Sequence, residues 1–304
     1  MTGNAILAVT AARLGIFLGA CAVVGLCVFL VCYSLTKRLK VTEIFADVKG
    51  TERTAGYARI GLISDLHFPM FEAGKARVAA ALEKADVDAV AVAGDLCQNG
   101  NGVEEMLEFM RFLAAELHDK TIFVVPGNHD VHHVCAEKEE KIAEYCAKIA
   151  ACGENIHVLR NNIERLPVEG LGISLVVCGF DEMTVSNADA QRALFERAAA
   201  ETGENDRLVL LMHNPDIMAS IKEAVENSNT GSLALAGHTH GGQVYMPFNL
   251  EFRLLRHDVL PKEGYVYGKY DYCGNNVLYI TCGLGQSFLP IRLGTVPEVA
   301  VVNF

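Results

Sequence analysis

Five short stretches of this chain carry side chains of the kind that hold metal ions: Asp65-Leu66-His67, Gly94-Asp95, Gly127-Asn128-His129-Asp130, His213-Asn214-Pro215-Asp216 and Gly237-His238-Thr239-His240. One such stretch means little, because Asp and Asn are ordinary turn formers, and Asn128-His129-Asp130 after Pro126-Gly127 reads as well as a solvated turn. Together they supply the carboxylates of Asp65 and Asp95, the amide oxygen of Asn128 and the imidazoles of His67, His213, His238 and His240. Gathered in a small volume without a cation, those groups would leave unpaired buried charge at a cost of several kcal/mol. Divalent metal removes that cost. Mixed carboxylate and imidazole ligation suits manganese, iron or zinc better than calcium. Seven ligands exceed what one ion takes and suit two ions that share a carboxylate.

Each stretch is delivered by an apolar run that stops in polar or Gly residues. Ile60 to Ser64 runs into Asp65, Ala91 to Ala93 into Gly94, Thr121 to Val125 into Pro126-Gly127, Leu208 to Met212 into His213, and Leu233 to Ala236 into Gly237. Such runs read as short buried strands. Helical patterns fall between them at Gly74–Asp86, Asn101–His118, Glu137–Ala151, Ala188–Ala200 and Asp216–Glu226, with a further strand at Ile173–Cys178. Strands alternating with helices imply a mostly parallel sheet covered on both faces, which puts the strand ends on one edge, where open α/β sheets bind ligands. After His240 the pattern changes to short strands at Gln243–Met246, Tyr265–Tyr267, Val277–Ile280 and Val299–Val302, read as antiparallel.

The chain has 304 residues, a net charge of -11 and ten cysteines without a CxxC pair. The acidic balance excludes a sequence-independent grip on nucleic acid, which needs Lys and Arg against phosphates. A chain of this size needs no disulfide staples, so the cysteines read as reduced thiols. No obligate protein partner is evident. From Leu14 to Leu35 there is no charged residue, enough for one transmembrane helix. A cleaved signal peptide is the rival, but the apolar run is long and no Ala-x-Ala site follows. The lipoprotein-like Leu18-Gly19-Ala20-Cys21 comes too early. Arg13 lies on one side of the helix and Lys37, Arg38, Lys40, Lys49 and Arg53 on the other, so the positive-inside rule puts the C-terminal part in the cytoplasm. The organisation expected is an N-terminal tail over 1–13, a transmembrane helix over 14–35, a polar linker over 36–56 and a catalytic domain over 57–304.

Asp65-x-His67, Gly94-Asp95, Gly127-Asn128-His129-Asp130, His213 and Gly237-His238-x-His240 resemble, in order and spacing, the five motifs of the calcineurin-like metallophosphoesterases. Gly237–Gln243, Leu289–Gly294 and Pro297-Glu298 resemble the membrane-associated bacterial YaeI/YkuE-type phosphodiesterase branch. The resemblance implies an α/β fold, a four-layer αββα sandwich, over Ile60–Phe304. It also implies that Asp65, His67 and His240 hold one metal and Asn128, His213 and His238 the other, with Asp95 bridging. His129 matches the family's non-ligand catalytic histidine. Two cations ~3.5–4 Å apart lower the pKa of a shared water and clamp phosphoryl oxygens.

The activity expected is hydrolysis of a phosphodiester or pyrophosphate bond, with manganese the first choice of metal and a lipid-linked substrate favoured by the membrane helix. A narrower alternative is a UDP-2,3-diacylglucosamine pyrophosphate hydrolase of lipid A synthesis. It needs an apolar acyl groove, to which the amphipathic segment Met106–Leu117 could contribute if it is not simply a core-facing helix. An alternative of another class is a membrane-tethered metal-binding scaffold without catalysis. His132, His133 and Arg292 are candidate substrate contacts, against the plainer readings of solvated histidines and a surface salt bridge. Asp130 either orients a neighbour or caps the following helix.

Overall fold

The computed structural model describes residues 3–48, 56–184, 186–244, 246, 248 and 250–304. It begins with helix α1, Gly3–Thr36. Within it the 25 residues Ala12–Thr36 are long and apolar enough to cross a membrane, and their most apolar stretch is not packed against the rest of the protein. Residues 3–13 continue this helix, because Ala, Ile and Leu there carry no helix breaker. Residues 1 and 2 of the expected tail lie outside the described residues.

Among the described residues, twelve strands and seven further α-helices follow: β1 Lys40–Phe45, β2 Arg59–Ile63, α2 Lys75–Lys84, β3 Ala89–Ala93, α3 Val103–Glu116, β4 Thr121–Val125, α4 Glu139–Ala150, β5 Ile156–Val158, β6 Asn162–Val168, β7 Ile173–Gly179, α5 Ala188–Glu201, β8 Asp206–Leu211, α6 Asp216–Ser220, α7 Lys222–Asn227, β9 Ser232–Ala236, α8 Val259–Glu263, β10 Gly268–Tyr272, β11 Asn276–Ile280 and β12 Glu298–Asn303. They form two six-stranded sheets, β1-β12-β2-β3-β4-β5 and β10-β11-β9-β8-β7-β6. The period-2 alternation of strand side chains sorts them into layers. Ala89, Ala91 and Ala93 of β3 face the second sheet together with Phe123 and Val125 of β4, meeting Val177, Val209, Leu211 and Leu235. Val90 and Val92 face the other way, into a core with α2, α3 and α4. The outer face of the second sheet is closed by α5 to α8. Small Ala side chains on the inner face let the two sheets approach closely. The result is helix, sheet, sheet, helix.

Strands β2, β3 and β4 are mutually parallel, as are β7, β8 and β9. The tail is only partly antiparallel. β12 opposes β2 and β10 opposes β11, whereas β11 lies parallel to β9. Among the described residues of Gln243–Met246 there is a single bridge, Val244 to Leu293, since the Gln243 side chain is spent on the facing loop; residue 245 lies outside the described residues. No strand forms at Tyr265–Tyr267, where the chain bends so that Tyr265 packs on Tyr270 and Tyr272, and the strand begins at Gly268.

The polar stretch 36–56 is not simply a linker. It contains β1, which pairs in parallel with β12 and is held by Thr42 Oγ1 donating to Glu298 at 2.6 Å and Asn303 Nδ2 donating to the Ile44 carbonyl at 3.0 Å. Lys40, Thr42 and Glu43 interrupt Val41, Ile44 and Phe45, and Val41 and Phe45 stay half exposed, so this edge strand lacks the continuous apolar run of the inner strands. Residues 49–55 lie outside the described residues. Helix α3 buries Met106, Phe109, Met110 and Leu113 completely under the first sheet, so it is a core helix and offers no acyl groove.

Candidate metal centre

The loops that leave β2, β3, β4, β8 and β9 meet at the edge where the two sheets come together. Asp65, His67, Asp95, His238 and His240 all have positive φ, between 50° and 73°. Non-Gly residues enter this left-handed region at a cost of about 1 kcal/mol or more each, so the fold holds these side chains inward against local preference. Two glycines make the convergence possible. A Cβ on Gly127 would strike the backbone and carboxylate of Asp95, and one on Gly237 would strike Ser64 and Asp65.

The donor atoms form two nests that share Asp95. In the first, His67 Nε2 and His240 Nε2 stand 3.0 Å apart, Asp65 Oδ1 lies 3.4 Å from His240 Nε2, and Asp95 Oδ2 lies 3.5 Å from His67 Nε2. In the second, Asn128 Oδ1 is 2.9 Å from His213 Nε2 and 2.8 Å from His238 Nδ1; those two nitrogens are 3.2 Å apart, and Asp95 Oδ2 is 3.3 Å from His213 Nε2.

The outer atoms of these rings decide which nitrogen faces inward. His213 Nδ1 donates to the Ala93 carbonyl at 2.8 Å, which leaves Nε2 as the inward lone pair. His238 Nε2 lies 2.9 Å from Asp258 Oδ1 and 2.9 Å from Arg256. Asp258 Oδ1 accepts from Nε2 in the tautomer that turns the Nδ1 lone pair inward, the one a metal ligand needs, whereas Arg256 Nη2 can donate to Nε2 only in the other tautomer, which points Nδ1–H at Asn128; Arg256 Nε lies 2.7 Å from Asp258 Oδ2. In the ligand tautomer Asn128 Oδ1, His213 Nε2 and His238 Nδ1 are three acceptors facing one another. A proton on His213 relieves one of these contacts and leaves Asn128 against His238. A divalent cation satisfies all of them. The donor set therefore fits two metal ions, and the clusters Asp65/His67/His240 and Asp65/Asp95/His213 each bring three ligand atoms within 4.8 Å of one another.

Electrostatics agree with neutral imidazoles at most of these positions. Burial pushes His67 down to about 3, and burial beside His67 and Arg292 holds His240 well below its ordinary value. Burial also lowers His238 despite Asp258. His213 is the exception. Burial opposes its charge, but the Asp95 carboxylate overrides that and lifts it to about 10, while Asp95 is held well below the carboxylate range by His213 in spite of its own burial. Burial raises Asp65 to about 6.

His129 stands beside the nests, its ring 4.7 Å from that of His67. Its backbone N–H donates to Asp95 Oδ1 at 2.7 Å and its Nδ1 donates to the Gln98 carbonyl at 3.2 Å, so Nε2 is the atom free to act. Burial lowers its pKa. Distance alone would also group it with His67 and Asp95 as a ligand. Its fixed tautomer and its place on the wall of a cleft of ≈ 570 Å³ favour a role toward substrate.

Asp130 proves to be an internal staple. Its carboxylate accepts from Leu96 N at 3.1 Å, Cys97 N at 3.1 Å, Gly127 N at 2.9 Å and Tyr145 Oη at 2.8 Å, tying the loop that carries Asp95 to the loop that carries Asn128. His133 lines the cleft with its ring 4.6 Å from that of His129, but His132 turns away and pairs with Glu137 at 2.9 Å, because successive residues of a helical turn point in different directions. Arg292 is no surface or cleft residue. It is wholly buried and donates to the carbonyls of Cys282 at 2.9 Å, Gly283 at 3.2 Å and Gly285 at 2.5 Å, fixing the loop whose Gly283 packs on Asp65. Asp258, Arg256, Gln98 and Phe288 are contacts that motif reading misses. Asp258 and Arg256 sit in an ordinary polar stretch, and only the contact to His238 sets them apart.

The profile of the calcineurin-like phosphoesterases matches residues 58–242. A Helicobacter pylori protein described as an uncharacterized metallophosphoesterase is 26% identical over 268 residues, 88% of this chain and 63% of that protein. Bacillus subtilis YkoQ, described in the same words, is 24% identical over 264 residues, 87% of this chain and 90% of YkoQ. A Bos taurus transmembrane protein with metallophosphoesterase domain is 23% identical over 274 residues, 85% of this chain and 55% of that protein. The chain thus spans less than two thirds of the Helicobacter and bovine relatives.

Proposed function

The chain belongs to the calcineurin-like phosphoesterase family, and from that premise we propose that it is a membrane-anchored, dimetal-dependent phosphoesterase that hydrolyses a phosphodiester or pyrophosphate bond of a lipid-linked substrate. The observation that carries this reading is the pair of donor nests sharing Asp95 beside a histidine whose free Nε2 faces a cleft. In the proposal Asp65, His67, Asp95 and His240 hold one ion, and Asp95, Asn128, His213 and His238 hold the other. Bound divalent cations supply Lewis acidity and a water acidic enough to attack phosphorus near neutral pH. Manganese is the first choice, iron or zinc the next.

The residues of the chain do the rest. In that centre the Ala93 carbonyl holds His213, and Asp258 holds His238, in the tautomer that turns a lone pair inward. His129, held by its Nδ1–H on the Gln98 carbonyl, presents Nε2 to the leaving oxygen; that nitrogen is bare in the neutral ring and gives up a proton only after taking one, in the imidazolium form. His133, Met246, Phe288 and Leu289 wall the cleft and exclude water from one side of it. A non-catalytic scaffold would have no use for this oriented histidine. The apolar wall favours a substrate with an apolar part, as in the UDP-2,3-diacylglucosamine reading, although α3 contributes nothing to it.

Helix α1 serves as a single-pass anchor in this reading, with the catalytic domain on the cytoplasmic face because Lys37, Arg38 and Lys40 flank its C-terminal end. The full chain, purified in detergent and given manganese, is expected to turn over a chromogenic phosphodiester and to lose that turnover to chelator or to Asp95→Asn. Full metal content without turnover would favour the scaffold. A reporter fused at the C-terminus checks the orientation.

A further inference from the structure

Strand β1 follows α1 directly, and its direction decides where the membrane helix joins the domain. Lys40 pairs with Glu298 at the start of β12, and β12 runs antiparallel to β2, with Ala300 opposite Leu62. The end of α1 therefore sits at the C-terminal edge of β2, β3 and β4, the edge that carries Asp65, Asp95 and Asn128. With neighbouring strands ~4.8 Å apart, β1 lies only about 15 Å across the sheet from β3.

The junction is fastened at several points. Lys40 N donates to the Pro297 carbonyl at 2.8 Å, Arg77 donates to the Lys37 carbonyl at 2.7 Å, and Tyr33 Oη donates to Glu72 at 3.3 Å. Arg292 N donates to the carbonyl of Cys32 at 3.2 Å, one turn before α1 ends. The apolar segment Ala12–Thr36 has 25 residues, more than the ~20 needed to cross hydrocarbon, so its last turn lies at interfacial depth. The loop around Arg292 is held at that depth.

This loop is apolar on its outside. Phe288 is 74% exposed, Leu289 57% and Leu293 44%. Single exposed apolar residues need no explanation, but three on one short loop beside a membrane helix do. The loop is also rigidly set over the site. Gln243 Nε2 donates to the carbonyls of Ser287 at 3.2 Å and Leu289 at 2.9 Å, Leu293 N donates to the Gln243 carbonyl at 2.8 Å, and the Phe288 ring stands 5.7 Å from that of His129.

We propose that the loop 287–293 is a collar seated in the bilayer interface, with Phe288, Leu289 and Leu293 among the headgroups and upper acyl chains, so that the metal cleft opens onto the lipid surface. The partner of this surface is the bilayer itself. The substrate class that fits is a phosphoester in a lipid headgroup that enters the cleft sideways while its acyl chains stay in the membrane. That geometry requires no deep acyl groove, in keeping with the buried face of α3. The inference rests on the reading of α1 as a membrane anchor and of the cleft as a phosphoesterase site.

The chain has no Trp, so single substitutions create single reporters. Full-length Phe288→Trp, Leu293→Trp, Phe17→Trp and Glu204→Trp chains are reconstituted in phosphatidylcholine–phosphatidylglycerol vesicles whose acyl chains carry bromine at defined depths. Position 204 lies before β8, at the far edge of the sheets. Phe288→Trp and Leu293→Trp are expected to lose roughly half their emission to shallow bromines, Phe17→Trp, about 10 Å beyond the middle of the apolar segment, to lose as much to bromines at its own depth, and Glu204→Trp to lose none. Quenching at 17 without quenching at 288 and 293 overturns the collar and leaves the anchor standing. No quenching at 17 overturns both. Hydrolysis of a water-soluble diester by the unsubstituted chain in the same vesicles tests the phosphoesterase reading separately.

Discussion

His129 and Asp130 are neighbours with opposite tasks, and the difference comes from what each side chain reaches. His129 keeps one nitrogen free toward the cleft. His129→Ala is expected to lower kcat by about 10²–10⁴, the usual worth of a positioned acid, while metal content by elemental analysis stays at the level of the unsubstituted chain. Loss of metal in that variant would instead make His129 a ligand. Asp130 has no exposure and four donors. Asp130→Ala strands the N–H groups of Leu96, Cys97 and Gly127 at about 1–3 kcal/mol each. It is expected to lower thermal stability by about 3 kcal/mol or more, whereas Tyr145→Phe, which removes one bond from the same carboxylate, costs about 1 kcal/mol. Equal losses in a thermal melt would mean that the carboxylate is not the node.

At the scale of elements, the site depends on loops stitched to one another across both sheets. Arg292 binds the carbonyls of Cys282, Gly283 and Gly285 and so fixes the segment that packs on Asp65. Arg292→Lys keeps the charge but loses the planar fork. It is expected to cost about 2 kcal/mol, read as a fall in Tm of roughly 4–8 °C, with KM for a soluble diester unchanged. A selective rise in KM would restore Arg292 to the substrate. Glu298 plays a comparable part between the sheets, accepting from Thr42 of β1 at 2.6 Å and from Tyr279 at 3.2 Å and Thr281 at 2.9 Å, on and just after β11. Edge strand β1 is thereby part of the domain rather than a tether to it.

Over the whole molecule, loops from both sheets bring buried carboxylates and ring nitrogens together at one edge, so in the proposed dimetal centre cation binding and folding are coupled. Stripping divalent metal with chelator is expected to lower Tm, and manganese at about 100 times its Kd to restore about 2.7 kcal/mol per ion; a melt indifferent to metal would break that coupling. Apolar runs that stop at Asp, His or Asn are local patterns, and parallel strands put their ends on one edge, so the positions of Asp65, Asp95, Asn128, His213 and His238 were legible from sequence alone. The alternation of strand and helix implied one mostly parallel sheet covered on both faces; the second sheet of the αββα sandwich was expected from the family resemblance. Contacts between distant segments were not legible. Arg292 and His132 looked available for substrate because a charged or aromatic residue in a turn carries no mark of where it points. The pairing of β1 with β12, the Asp258 support of His238, and the seating of the loop 287–293 against Cys32 join residues that are remote in the chain. The sequence by itself determined which chemistry the strand ends could carry, because ligand type and strand pattern are properties of neighbouring residues. Only the tertiary structure decided which side chains turn inward, which are sealed away, and that the apolar helix α1 joins the domain at the edge that carries the donor nests, because those outcomes depend on packing across the fold.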